Sequence, residues 1–137
     1  MIRSVPVETG PGDTITDITA AVRDVVAGSG VREGLCVVSS PHTTVGVTVN
    51  ENYDPDVKVD FLAELGKIVP RDDGYRHMEG NSAAHLKATL TGLSITLPIS
   101  DGEIHLGRWQ GIYFCDYDGP RQRRADVTVI GGSGASG

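Results

Sequence analysis

The stretch LSITLPISDGEIHLGRWQGIYFCDYDGPRQRRADVTVI, residues 93–130, consists of short apolar runs cut by Asp101-Gly102 and by Asp118-Gly119-Pro120. An Asp-Gly pair between alternating runs is a strong hairpin signal, because its two residues accept the positive φ that a tight turn needs. Strands joined this tightly run antiparallel, so LSITLPIS, EIHLG, GIYFCDYD and RADVTVI predict a largely antiparallel sheet on the C-terminal side.

The N-terminal half mixes strand and helix signals. Residues 2–9 alternate as a first strand. GDTITDITAAVRDVVAGSG reads as an amphipathic helix, with Asp13 as N-cap, Ile15, Ile18, Val22 and Val25 as its apolar stripe, and Gly28 at its end. EGLCVVSS and TVGVTVNE read as strands joined through Ser40-Pro41. Asp54-Pro55 places a cap before a proline at the first helical position and opens PDVKVDFLAELGKIV, which Pro70 closes. A polar loop covers 71–80, and a short helix follows from Asn81 to Leu90, with Gly92 beyond its end. About eight strands and three helices predict an α+β fold.

The 137 residues suit one domain over 1–130, followed by a flexible Gly/Ser tail over 131–137. In that tail Gly132, Gly134 and Gly137 match GxGxxG formally, but no helix follows to make a dinucleotide site. A net charge of −6 argues against a nucleic-acid partner, because phosphate backbones require a basic surface. No apolar run reaches membrane-spanning length and the first residues lack a secretory pattern, so no membrane partner and a cytoplasmic location are expected. Cys36 and Cys115 lie in apolar strands and outside any CxxC pair, and are expected as buried thiols.

Three polar constellations could carry chemistry. In SPHTTVGVTVNEN, Val45, Val47 and Val49 face the core while His42, Thr44, Gly46, Thr48 and Asn50 share the other face. That face is either solvated or a site wall, with His42 at its mouth, Asn50, Glu51 and Asn52 at its far end, and Gly46 leaving room for an approach. In YRHMEGNSAAH, Arg76, His77, Glu79, Asn81 and His85 fall within ten residues. If Asn81 caps the helix, the N–H groups of 82–84 form an anion site; the alternative is a polar loop entering a helix. Imidazoles can ligate zinc, but the spacing of His42, His77 and His85 is not diagnostic of a metal. In GRWQGIYFCDYDGPRQRR, Trp109 beside Gln110 could stack a heteroaromatic ring, or be a core tryptophan. Arg121, Arg123 and Arg124 could hold phosphate oxygens, or pair with Asp116 and Asp118.

Taken in order, SPHTTVGVTVNENYDPDV, YRHMEGNSAAHLKATLTG and ITLPISDGEIHLGRWQGIYFCDYDGPR resemble the YjbQ-like family, also called the secondary thiamine-phosphate synthase family. The resemblance implies a single-domain α+β fold, a mixed, mostly antiparallel sheet curled into a half-barrel with about three helices, assembled as a homotrimer. It implies a weak transferase activity that joins a pyrimidinylmethyl diphosphate to a thiazole phosphate, giving thiamine phosphate and diphosphate. Carried over by position, the site is His42, Asn50, Glu51, His77, Glu79, Asn81, His85, Trp109, Gln110 and Arg121. Ala83 stands where the family pattern usually has an acid, which weakens the case for a metal.

The expectation is therefore an enzyme acting on a phosphorylated small molecule. His42, His85, Glu51 and Glu79 would be catalytic. Asn50, Arg76, His77, Asn81, Trp109, Gln110 and Arg121 would bind substrate. A divalent ion, Mg²⁺ or Zn²⁺, is a possible cofactor, held by His42, His77 and His85 or, through water, by Glu79 or Asp116. The alternatives are a non-catalytic anion or small-molecule binder and a metal-dependent hydrolase.

Overall fold

A computed structural model describes residues 1–132 of the chain. In order the elements are β1 (Ile2–Glu8), β2 (Gly12–Asp17), α1 (Thr19–Ser29), β3 (Gly34–Ser39), β4 (Val45–Glu51), α2 (Pro55–Ile68), α3 (Ser82–Thr91), β5 (Ser94–Ser100), β6 (Glu103–Ile104), β7 (Gln110–Gly119) and β8 (Gln122–Gly131). The fold is α+β, with the strands curled as a half-barrel in two sheets, ordered β1-β8-β3-β5-β6 and β2-β7-β4. Every strand pairing among the described residues is antiparallel, so the parallel component of a mixed sheet is not found there. Asp101 and Gly102 both take positive φ, 52° and 78°, and close the β5–β6 hairpin as the dipeptide predicts.

Two apolar layers follow from alternation along the strands. Val5, Val7, Val38 and Val127 of the larger sheet meet Val45, Val47, Ile112 and Phe114 of the smaller one, and Ile18, Val22 and Val26 at the start of and along α1 join the same cluster. On the other face of the smaller sheet, Tyr113, Cys115 and Tyr117 pack under Ala84 and Ala88 of α3 and Phe61, Leu62 and Leu65 of α2. β7 is covered on both faces, which is why its sequence is a nearly continuous apolar run rather than an alternating one. Cys36 and Cys115 are buried free thiols in these two separate layers, and burial pushes them up to about 11 and about 12.

The helix expected from Asp13 is corrected. Residues 12–17 form β2, paired with β7, and α1 begins only at Thr19. Thr14-Ile15-Thr16 is β-branched throughout, and side-chain stiffness favours an extended edge beside β7 over a first helical turn. Asp17, not Asp13, serves the helix start by accepting from Thr19 N–H at 2.9 Å. Gly28 lies within α1, and the helix closes at Gly30 with φ 73°. Asp54 does cap α2, accepting from Asp56 N–H at 2.9 Å, with Pro55 in the first turn.

The proposed tail falls from residue 133 onward outside the described residues. Gly131 ends β8, and Gly132 N–H donates to Glu33 O at 2.8 Å, so the sheet reaches one or two residues beyond the boundary expected.

Candidate functional site

The β3–β4 connection places His42. Ser40 Oγ accepts from His42 N–H at 3.1 Å and donates to His42 O at 3.2 Å, closing a small loop. The Nε2 atom of His42 then accepts the Arg124 backbone N–H at 3.0 Å. An acceptor at Nε2 assigns the ring proton to Nδ1, so His42 offers a neutral N–H donor. Burial, and then the Arg123 charge, hold its pKa below 6.5, which keeps it neutral.

Beside His42 lies a buried ion pair. Arg123 clasps Asp116 through two N–H···O contacts of 2.9 and 3.0 Å and donates a third to Thr44 Oγ1 at 2.9 Å. Thr9 Oγ1 donates to Asp116 Oδ2 at 2.6 Å, and Asp118 N–H donates to Oδ1 at 2.9 Å. Burial opposes the Asp116 charge, but Arg123, Thr9 and the Asp118 N–H outweigh it and hold the carboxyl below the usual carboxylate range. Both carboxylate oxygens are committed, so Asp116 is a structural anchor and not the magnesium holder considered above.

α3 brings His85 to the same place. His42 and His85 line one cavity of about 520 Å³ with Ser40, Thr43 and Thr89. His77, on the preceding loop, sets its ring edge-on to His85 at 5.2 Å between centroids. Arg76 and Glu79 are exposed on that loop. Asn81 stands at the N-cap of α3 without capping it; its Nδ2 donates instead to Asp118 Oδ2 at 3.1 Å. Of the N–H groups expected to be free, that of Ala84 donates to Asn81 O at 3.0 Å. Arg121 in turn reaches Asp118 through its carbonyl at 3.2 Å and its carboxylate at 3.4 Å.

The expected polar face of β4 does not survive as one wall. Thr44 turns inward to Arg123, and Gly46 is covered by the end of α3: a Cβ there would lie 2.6 Å from the Thr91 side chain and 3.0 Å from Gly92 O. The approach Gly46 permits is thus that of a helix, not of a ligand. Asn50, Glu51, Trp109 and Gln110 sit at the opposite end of the small sheet, where Glu51 pairs with Gln110. Glu51 is about 20 Å from the start of β4, where the His42 turn enters, given six steps along the strand at about 3.3 Å each. At the Glu51 end, Gln110 Oε1 accepts Gly107 N–H at 2.7 Å, Tyr113 OH donates to Glu51 O, and Trp109 rests edge-on against Tyr53 at 4.9 Å. Trp109 is 46% exposed, so it is not a core tryptophan. The fold therefore brings His42 and His85 to one cavity with His77 beside them, places Asn81 and Asp118 on a separate cavity at the same end of the small sheet, and leaves Asn50, Glu51, Trp109 and Gln110 apart.

The metal assignment fits poorly. Among the described residues no three His, Cys, Asp or Glu side chains are grouped to hold an ion. His42 would have to give up its bond from Arg124 to offer a lone pair at Nε2, and a lone pair at Nδ1 would place a proton at Nε2 facing that same N–H. His77 and His85 remain a two-imidazole pair.

Sequence reasoning passed over Lys87, which is buried on α3 and pairs with Asp13 Oδ2. The signal was present, since residues 83, 84, 87 and 88 form one helical face and a lysine among alanines there must find a partner.

A family model described as UPF0047 protein YjbQ-like matches residues 3–132. A UPF0047 protein of Methanocaldococcus jannaschii is 42% identical over 131 residues, covering 96% of this chain and 95% of the relative. The UPF0047 protein YugU of Bacillus subtilis is 41% identical over 132 residues, covering 96% and 100%. The crystal structure of an uncharacterized conserved protein of the YjbQ/UPF0047 family from Clostridium acetobutylicum matches with a TM-score of 0.92 at 48% identity, over 93% of this chain and 99% of that one. A protein of unknown function from Sulfolobus solfataricus matches with a TM-score of 0.92 at 28% identity, over 96% and 97%. The matched range includes the His42 turn, the start of α3 and the Asp118–Arg121 turn, and the chain belongs to the UPF0047 YjbQ-like family.

Proposed function

We propose that the protein acts on a phosphorylated small molecule in the His42–His85 cleft, as a transferase of the thiamine-phosphate synthase kind. The reading is carried by one observation: two imidazoles 43 positions apart in the chain line a single cavity, one of them a neutral donor beside an arginine cluster. In the reaction proposed, the C–O bond of a pyrimidinylmethyl diphosphate breaks, a C–N bond to the thiazole phosphate forms, and diphosphate leaves with the bonding pair.

Departure of diphosphate needs positive or donor groups on its oxygens. His42 Nδ1–H, Arg76 and Arg121 are the groups for that task. His85 exchanges a proton with the amino-substituted pyrimidine ring, taking it up and returning it as the C–O bond breaks and the C–N bond forms. Trp109 would stack the pyrimidine only from a neighbouring subunit, since its own lies at the far end of the sheet. A homotrimer belongs to the same proposal: no residue of α2 is fully buried, and Val59 and Ile68 are 62% and 64% exposed. Two buried thiols suit a reducing cytoplasm.

Diphosphate release from the two phosphorylated substrates tests the reading. His85→Ala should lower turnover about 10²- to 10⁴-fold, as loss of a general acid–base does. Full turnover in that variant removes His85 from the mechanism. Diphosphate binding without turnover in the wild type identifies a binder instead, and zinc retained through purification would identify the hydrolase reading.

A further inference from the structure

The side of α3 turned away from His85 faces a second cavity, of about 390 Å³, bounded by Asp13, Arg71, Asn81, Lys87 and Asp118. Lys87 keeps only 9% of its side chain exposed, and its ammonium meets one partner oxygen, Asp13 Oδ2, with the Tyr117 ring 5.9 Å away. Tyr117 OH is already engaged with Thr91 Oγ1 at 2.6 Å. An ammonium carries three N–H donors, so beside a cavity that Lys87 lines the contacts above leave donor capacity without a partner among the described residues.

Asn81 supplies an independent sign. Its Oδ1 is buried and takes no hydrogen bond within the described residues. Turning the amide over does not cure this, because Nδ2 must face the Asp118 carboxylate to which it donates at 3.1 Å. The chain thus holds an acceptor in place by an ionic neighbour and gives it no donor. Buried polar atoms are almost always paired, and one held unpaired beside a cavity that contains a buried cation marks a place for a ligand.

We propose that this cavity binds a small molecule carrying an anionic group next to an N–H donor. The anion lies against Lys87 and Arg71 near the start of α3, and the donor reaches Asn81 Oδ1. Asp13 and Asp118 each hold a nearby cation, so the site favours a ligand of mixed charge over a bare polyanion. The His42–His85 cleft is on the other side of the helix, and this inference does not rest on the function proposed for it.

The test is titration of the isotopically labelled full chain by amide nuclear magnetic resonance with three probes: O-phosphoethanolamine, glycine and sulfate. The first two combine an anion with N–H donors and differ in phosphate against carboxylate; sulfate has no donor. Saturable shifts of the Gly80 amide and the Asn81 side-chain NH₂ are expected with one or both of the first two, and at least tenfold weaker with sulfate. The double variant Asp13→Asn/Lys87→Met removes both charges together, so that no lone buried charge is left, and should weaken binding at least tenfold while its dispersed spectrum reports an intact fold. Binding should persist in His85→Ala, which separates this site from the cleft. Three results each overturn the inference: no saturable shift at Gly80 and Asn81, sulfate binding as tightly as the other probes, or unchanged affinity in the folded double variant.

Discussion

Asp116 shows what a single side chain can be asked to do. It is fully buried, yet Arg123, Thr9 and the Asp118 N–H together keep it ionised. Asp116→Asn would leave Arg123 without its charge partner and should destabilise the protein by about 3–5 kcal/mol, the usual result of breaking a buried pair from one side. Urea unfolding would read this as a lower midpoint at unchanged slope. Because its folded pKa is below 3.8, Asp116 contributes stability fully above that value, and the contribution disappears as pH falls through the folded pKa. His42 acts earlier on the same axis. Its folded pKa lies below 6.5, so in the window beneath 6.5 the unfolded chain binds the extra proton and stability declines with acid. His42→Gln should flatten that part of the curve. A variant whose stability falls as steeply as the wild type just below pH 6.5 would assign the slope to other groups.

At the scale of the elements, α3 is the piece on which both cavities depend. Its C-terminal end presses on Gly46, and Val47 N–H donates to Gly92 O at 2.9 Å. Gly46→Ala would force a Cβ to 2.6 Å from Thr91, and the helix end would have to lift. The expected cost is about 1–3 kcal/mol, typical of overpacking. Amide exchange should quicken along α3 more than along β8; uniform protection would show that the helix accommodates the methyl. α2 is different in kind, held by Phe61, Leu62 and Leu65 and by a cap. Loss of that cap in Asp54→Ala should cost about 1 kcal/mol. The caps and turns of α2 and of the β5–β6 hairpin were legible in sequence because their causes lie within a few residues. β2 was not, because its strand state depends on β7, about a hundred positions away, offering an edge at Cys115 to Ile15.

At the scale of the molecule, the polar residues separate into two ends of one small sheet. His42, His77, His85, Asn81 and Arg121 gather at one end, and Asn50, Glu51, Trp109 and Gln110 at the other. If the two groups serve one reaction, the second must come from another copy of the chain. Light scattering should then give three times the monomer mass of 14.5 kDa, and a monomer at working concentration would leave the two ends functionally separate. Family and fold class could be read from ordered strings and local patterns. That the three polar segments did not form one pocket could not, since nothing in their spacing records which end of a strand each will occupy.

By itself the sequence determined the elements whose causes are local: the Asp101-Gly102 turn, the Asp54-Pro55 helix start and the inward face of Val45, Val47 and Val49. Only the tertiary structure decided which polar groups are already taken. Asp116 is saturated by Arg123 and Thr9, His42 accepts from Arg124, and Lys87 finds Asp13, each across a long stretch of chain. A side chain's type states what it can donate or accept, but whether that capacity is still free depends on neighbours that only folding brings within about 3 Å.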